Sequence, residues 1–512
     1  MQADSLTYKT LKNVSYSFAG YAFPIVFSIF ITPIIVFKLG LADYGFFIFL
    51  NTISSIMGLL DLGVSTALVK YVAEYYEIKD FAGLKKLISS ANLLFFIIAS
   101  LGFLVFLLIG FLAKNFGLLG KELNYGFLYF FIGGLVFFVN IASSVYYALP
   151  TALLRLDIGA KIGITKLVMQ SLLMLLAVIL GGGLFGALSV VLFNDLFFAF
   201  VYRHYVKKIM PEIHFSLAFD KIELKRCYRF GLVYFVANLS NSLLYQLDRL
   251  LIPFYLNPTQ LTYYSLPGNV TTKIQGLNNN LATVLFPMSS ALSVANQKSK
   301  LAELYLRAFR LLTIMGAALT TVVITFSYQI LKYWLSEDFA KSSSQVLIIL
   351  ALTYFLLAIA GPLNNFLLGL GKVKILAWFS FLMMLINVVA LLIFLPKYGI
   401  TGAAWSYLVA VLPIYALFYY TEKNILGFSR QRYWEYLKLY LKIFCCFGLA
   451  FLLGKLLLIK IVVNLFSLLL TALMVFLFFV LVYWLLGFFE KEDVELFKRF
   501  LMVIKGKLGF LA

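Results

Sequence analysis

Residues 462 to 488, "VVNLFSLLLTALMVFLFFVLVYWLLGF", contain no charged side chain. A helix of about 20 apolar residues crosses a hydrocarbon core of about 30 Å. Lipid offers no hydrogen bonds to an open backbone, so a run of this kind folds as a helix that satisfies its own N–H and C=O groups. The same ruler finds fourteen such spans, at 14–37, 44–69, 87–113, 125–149, 163–180, 184–202, 230–256, 263–291, 308–330, 345–369, 375–395, 401–421, 440–458 and 462–488. Short joints rich in Gly, Pro or charge separate them, among them "KLGLADYG", "LNPTQL" and "PKYGI". The expected fold class is an all-α polytopic membrane protein with about 14 transmembrane helices.

Composition agrees: 63% of the 512 residues are hydrophobic, 12% are charged and the mean hydropathy is +0.97. An ordinary soluble domain is about 45 to 50% apolar. The net charge of +20 is spread in small groups between apolar runs, with no basic domain to hold a duplex, so nucleic acid is not a partner; anionic membrane lipids and an anionic cargo suit the charge better. Cys227, Cys445 and Cys446 form no disulfide framework, and His204 and His214 have no ligand cluster around them, so neither a metal nor a cofactor is implied.

Sorting the 42 Lys and Arg by this topology puts 32 on the side of both termini, eight on the other side and two inside spans. The positive-inside rule then makes both termini cytoplasmic. The long connection after the sixth span divides the chain into an N-terminal six-helix lobe (1–206), a cytoplasmic linker (207–229), a C-terminal six-helix lobe (230–421), two extra transmembrane helices (422–488) and a cytoplasmic amphipathic tail (489–512). A shift of 218 residues aligns Asn51 with Asn269, a weak echo between the lobes of the kind seen in transporters built from repeated halves.

Ionisable groups deep in a span cost about 2.5 to 3.5 kcal/mol each on insertion and face a bundle interior or a wet cavity. Here they are Asp61, Asp248, Arg249 and Lys273, with Asp195 nearer a span end. At 100° per residue, Asn238, Ser242, Tyr245 and Arg249 share one face of the seventh span, and Asp248 lies about 100° away, toward a neighbouring helix. In the eighth, Ser265, Asn269, Lys273, Gly276 and Asn280 share a stripe. In the second, Ser54, Gly58, Asp61 and Ser65 do the same. The amides have a plain alternative role as interhelical hydrogen bonds of about 0.6 kcal/mol each. The carboxylates divide between structure and cation coupling. Two deep cations with few carboxylates near them call for an anion, which a cargo would supply.

"LGLADYGFFIFLNTISSIMGLLDLGVSTALVKYVAEYY" (Leu39 to Tyr76), "LDRLLIPFYLNPTQLTYYSL" (Leu247 to Leu266) and "PLNNFLLGLGKVK" followed by "LPKYGITGAAWSYLVA" (Pro362 to Ala410) carry a resemblance. In them the chain resembles the polysaccharide-export branch of the MOP (multidrug/oligosaccharidyl-lipid/polysaccharide) exporter superfamily, the Wzx-type O-antigen flippases. It departs in "LNPTQLTYYSL", where relatives usually carry an acidic residue and a glycine before the tyrosine. The resemblance implies two six-helix bundles in a V plus two peripheral helices, and alternating access in the inner membrane. It implies an undecaprenyl-pyrophosphate-linked oligosaccharide as cargo, and polysaccharide polymerase and chain-length proteins as partners. Arg249 and Lys273 would meet the pyrophosphate, and Asn238, Tyr245, Asn269, Asn280 and Asn51 the sugars. One alternative is a multidrug-type antiporter of the same superfamily, coupled to Na⁺ or H⁺ through Asp61 or Asp248. The other is a membrane enzyme, a polymerase or ligase, although no catalytic motif and no long outer loop is present.

Overall fold

The structure is a computed structural model that describes residues 29–116, 126–211, 218–295, 297–428 and 430–487. Most of the first expected span, His214, the middle of the 207–229 linker and the amphipathic tail at 489–512 lie outside the described residues. Every regular element described is helical. In chain order they are α1 (Ile29–Leu39), α2 (Leu41–Met57), α3 (Val64–Glu77), α4 (Phe81–Phe116), α5 (Phe127–Ala142), α6 (Ser144–Ala152), α7 (Leu156–Ile179), α8 (Gly183–Ile209) and α9 (Lys221–Tyr255). There follow α10 (Pro258–Ala282), α11 (Leu285–Val294), α12 (Lys298–Thr325), α13 (Ser327–Trp334), α14 (Glu337–Gly369), α15 (Val373–Val411), α16 (Ile414–Tyr420), α17 (Arg430–Leu456) and α18 (Leu465–Leu485).

Ten helices among the described residues are long and apolar enough to cross a membrane, which makes the chain a multi-pass membrane protein. The ten differ from the fourteen expected spans for three physical reasons. One helical stretch, Val373–Ile425, holds two expected spans, folded over at Gly399 (φ 60°, ψ −142°) just after Pro396. The first span is mostly outside the described residues. Finally α9 and α10, the seventh and eighth spans, are long enough but are not among the ten. They are the two helices whose polar faces dilute their hydropathy.

The second span is not one helix. A short 3₁₀ turn, Gly58–Asp61, follows α2, Leu62 and Gly63 take left-handed φ values of 51° and 78°, and α3 starts afresh at Val64. The stripe Ser54, Gly58, Asp61 and Ser65 expected along a continuous helix is therefore broken, because the reversal at Leu62 and Gly63 resets the helical phase between Asp61 and Ser65.

Helix starts follow local chemistry. Asp220 caps α9 by accepting the N–H groups of Ile222 (2.9 Å) and Glu223 (3.2 Å), and Ser336 accepts that of Phe339 to cap α14. Asn464 and Ser467 form a reciprocal capping box at α18.

Two compact units emerge. The first holds residues 1–269 and 372–413; in it α4 packs on α5, α7 on α8 and α9 on α15. The second holds residues 270–371 and 414–512, with α12 on α14 and α17 on α18 around a core that includes Phe326, Cys446, Ala450, Val475 and Phe479.

Candidate functional site

In the first unit the centre of interest is the C-terminal half of α9 and the first turns of α10. Asp248 is 3% exposed. Its carboxylate accepts a hydrogen bond from the Tyr264 hydroxyl of α10, and its Oδ1 accepts the backbone N–H of Arg249 at 2.8 Å. The aspartate is thus turned to a neighbouring helix, as its helical phase requires. Arg249 is half-buried and points elsewhere. Its Nη2 lies 3.5 Å from Asn269 Oδ1, and Tyr44 on α2 sits within its electrostatic field. Among the described residues Arg249 has no ion pair with a carboxylate.

The remaining expected residues distribute unevenly. Tyr245, one turn before Arg249 on α9, packs edge-on against Tyr407, with ring centroids 6.1 Å apart. Asn238 is exposed. Asn51 is also exposed, and its amide donates back to Phe47 O on its own helix at 2.7 Å. Asp61 accepts the N–H of Gly63 at 2.8 Å and so holds the α2–α3 break. In the second unit, Lys273 and Asn280 are exposed on α10, and the carbonyl of Asn280 accepts the Thr283 hydroxyl at 2.7 Å. Lys273 is one turn beyond Asn269 along the same helix. Other amides are interhelical bonds: Asn278 donates to Leu312 O at 2.9 Å in the second unit, and Asn387 to Leu244 O at 3.2 Å in the first.

Within the first unit, Arg249 with Asn269 beside it offers charged N–H donors of the kind that hold an anion.

The sequence profile of the family described as "Polysaccharide biosynthesis protein" matches residues 10–293, more than half of the chain. The chain belongs to the polysaccharide biosynthesis protein family. A second profile, MatE, matches residues 234–393. A curated relative, "Putative O-antigen transporter" of Shigella flexneri, is 25% identical over 189 residues, which are 37% of this chain and 44% of the relative. The match therefore spans less than half the length of that relative. Among solved structures, "Lipid II flippase MurJ, inward closed conformation" aligns with a TM-score of 0.65 at 13% identity, covering 91% of this chain and 98% of that one. An inward-facing multidrug resistance MATE family transporter of the MOP superfamily aligns at 0.63 and 14% identity, covering 77% and 93%. The fold of this family member is the MOP superfamily fold.

Two features of this polysaccharide biosynthesis protein escaped the sequence. Tyr264 is one; in "LTYYSL", beside Tyr263 and Ser265, nothing singles it out or names its partner. The other is a buried cluster in the first unit. Lys166 Nζ lies 2.7 Å from Asp195 Oδ1, and Asn140 donates to the other oxygen of that carboxylate. The lysine also lies 5.7 Å from the centre of the Tyr147 ring. The Lys166 ammonium turns back into the helices. The available signal was depth: Asn140, Lys166 and Asp195 stand toward the same ends of their expected spans.

Where α3 ends and α9 begins, Tyr75 of α3 donates to Glu223 Oε1 of α9 at 2.7 Å, and Arg226 reaches Glu74 Oε2 at 2.7 Å. Burial, and then the hydrogen bond to Glu223, push the Tyr75 phenol up to about 12, so it stays a donor at neutral pH.

Proposed function

We propose that this protein is a flippase that moves an undecaprenyl-pyrophosphate-linked oligosaccharide, an O-antigen or related surface polysaccharide unit, from the inner to the outer leaflet of the inner membrane by alternating access. The observation that carries this reading is the separation of Asp248 from Arg249. Tyr264 and the Arg249 backbone occupy the carboxylate, and the guanidinium lies beside Asn269 with no acidic partner among the described residues. A pyrophosphate supplies the missing charge through charge-assisted hydrogen bonds. Lys273 is the second cation of the reading, and Asn238, Tyr245, Asn269 and Asn280 bind sugar hydroxyls. The lipid tail remains in the bilayer. Family membership and the O-antigen description of the curated relative support the cargo class.

Both termini are cytoplasmic in this reading, on the 32 to eight division of basic residues. The lobes divide at 207–229, and a polysaccharide polymerase and chain-length proteins receive the product. The MatE match at 234–393 favours a second reading, a cation-coupled multidrug antiporter. Its coupling carboxylates would be Asp61 and Asp248, which here hold a backbone N–H and a tyrosine hydroxyl.

Depletion of the protein, followed by leaflet-resolved detection of lipid-linked glycan, tests the reading. Inner-leaflet build-up is the expected result. Outer-leaflet accumulation of unpolymerised units indicates an assembly enzyme instead, and an unchanged glycan distribution leaves the antiporter.

A further inference from the structure

The first unit contains a second concentration of positive charge, remote in sequence from Arg249. A cleft of about 410 Å³ lies between the start of α7 and the end of α8, lined by Arg155, Lys161, Lys208, Asp157, Tyr205 and three isoleucines. Clefts of about 300 to 1,000 Å³ hold small ligands. Arg155 and Asp157 are locked together, Nε to Oδ1 at 3.0 Å and Nη2 to Oδ2 at 3.2 Å, so one positive charge is answered inside the cleft. Lys161 and Lys208 have no ion pair among the described residues. The cleft therefore presents two uncompensated ammonium groups beside a tyrosine.

Its wall is apolar. Ile158 and Ile162 are buried in a small core with Phe198, and Ile209 packs on the same core. The preceding turn, closed by the Arg155 N–H on Pro150 O at 2.8 Å, holds Leu154 at a left-handed φ of 56° and leaves it 84% exposed. Phe200 on α8 is 69% exposed. Leu154 adjoins Arg155 in the chain, and exposed apolar side chains next to basic ones suit the depth where lipid headgroups meet acyl chains, which in the topology proposed above is that of the cytoplasmic leaflet.

We propose that this cleft binds the phosphate of an anionic phospholipid of the surrounding membrane. Lys161 and Lys208 take the phosphate oxygens, Tyr205 sits at headgroup depth, and the glycerol and upper acyl chains lie along the isoleucine wall. The site is separate from the cargo reading and does not depend on it. A soluble phosphate would gain nothing from Leu154 or the isoleucines, which is why a lipid is the occupant.

The test uses the full-length protein purified in detergent with equal phosphatidylglycerol and phosphatidylcholine, the retained lipid being counted by native mass spectrometry. The wild-type protein is expected to retain phosphatidylglycerol selectively. Each lysine removed in Lys161→Gln and Lys208→Gln should lower that retention about fivefold. Lys161→Arg/Lys208→Arg should keep it, which guards against a fold defect in the glutamine variants. Lys85→Gln/Lys86→Gln, two exposed lysines on α4, should leave it unchanged. Equal loss in that control pair, or no loss in either glutamine variant, overturns the site. Displacement of the lipid by millimolar inorganic phosphate reassigns the cleft to a soluble anion. Unchanged phosphatidylglycerol retention with loss of bound lipid-linked glycan reassigns it to the cargo.

Discussion

Tyr264 donates its hydroxyl hydrogen to the Asp248 carboxylate across the α9–α10 pair, and the neighbouring Arg249 is left to face Asn269. Two adjacent opposite charges thus do not neutralise each other as side chains. The Asp248 carboxylate joins two helices, and Arg249 is the residue proposed to meet the cargo.

Tyr264→Phe should therefore destabilise the protein by about 1 to 3 kcal/mol, the cost of leaving a buried polar group without its partner. Asp248→Leu combined with Tyr264→Phe should cost less than the sum of the two single changes, since the double variant leaves neither group stranded. Thermal unfolding in detergent reads both. Strict additivity would mean that the tyrosine and aspartate do not interact in the folded protein.

Arg249→Ala should abolish glycan export at normal protein level while leaving thermal stability close to wild type. Lys273→Ala should do the same. Loss of one charge-assisted contact weakens cargo binding by about ten- to a hundredfold. Arg249→Lys should retain part of the activity, because it keeps the charge but not the two-pronged geometry. Normal export by both alanine variants would remove these residues from the cargo path.

The helical period placed Asp248 about a quarter-turn from Arg249 and so separated their duties, because phase depends only on position in the chain. It could not name Tyr264, since pairing between helices depends on tertiary register. The joint at Pro396 to Ile400 was legible because proline and glycine break helices wherever they occur together. The break after Met57 was not, because its left-handed residues include Leu62, and glycines such as Gly58 and Gly63 are common in intact membrane helices. The Lys166–Asp195 pair was hidden for a related reason. A lysine near a span end reads as an interfacial anchor, and only the fold shows its ammonium on Asp195.

Lys166→Ala should be more damaging than its position near a span end implies. Asp195 is 3% exposed and would keep Asn140 but lose its counter-ion. Breaking a buried pair from one side costs about 3 to 5 kcal/mol. Lys166→Met/Asp195→Asn, which removes both charges, should recover most of the lost stability in the same unfolding measurement. A double variant no better than Lys166→Ala would show that the pair contributes nothing through charge.

The loop before α14 gives a pH prediction. Lys332 Nζ lies 3.1 Å from Glu337 Oε2, and Lys341 lies 3.4 Å from the other oxygen. The hydrogen bond and charge of Lys332, then Lys341, hold the Glu337 carboxyl below its usual range, and Glu337 in turn holds Lys332 above its own. A lowered carboxylate stabilises the fold above its usual pKa of about 4.3 and loses that contribution as pH falls through the lower folded value. A raised lysine contributes fully below about 10.4 and loses its contribution as pH rises through the higher folded value. Chemically corrected amide exchange at the start of α14 should therefore be flat from about pH 5 to 9 and quicken only in stronger acid or base. A step between pH 6 and 8 would contradict this ion-pair assignment.

Where α3 starts, its backbone and that of α9 approach too closely for side chains. A Cβ built on Gly231 would lie 2.6 Å from Leu62 O and 2.8 Å from the carbonyl carbon of Gly63. Both obstacles are backbone and cannot rotate aside, and Gly63 itself has a φ of 78° that disfavours any other residue. Gly231→Ala should thus push the helices apart and cost about 1 to 3 kcal/mol. Gly58 supplies the control: it is right-handed, with φ −56°, and a Cβ there would meet nothing within 4 Å. Gly58→Ala should be neutral or stabilise by about 0.4 to 1 kcal/mol through the unfolded chain. Because the Tyr75–Glu223 and Glu74–Arg226 contacts join the same two helices toward the N-terminal end of α9, spreading them at Gly231 should also raise amide exchange around Glu223. Faster exchange there in Gly231→Ala but not in Gly58→Ala is the expected pattern; equal exchange in both would show that the glycine crossing does not hold the cytoplasmic contacts together.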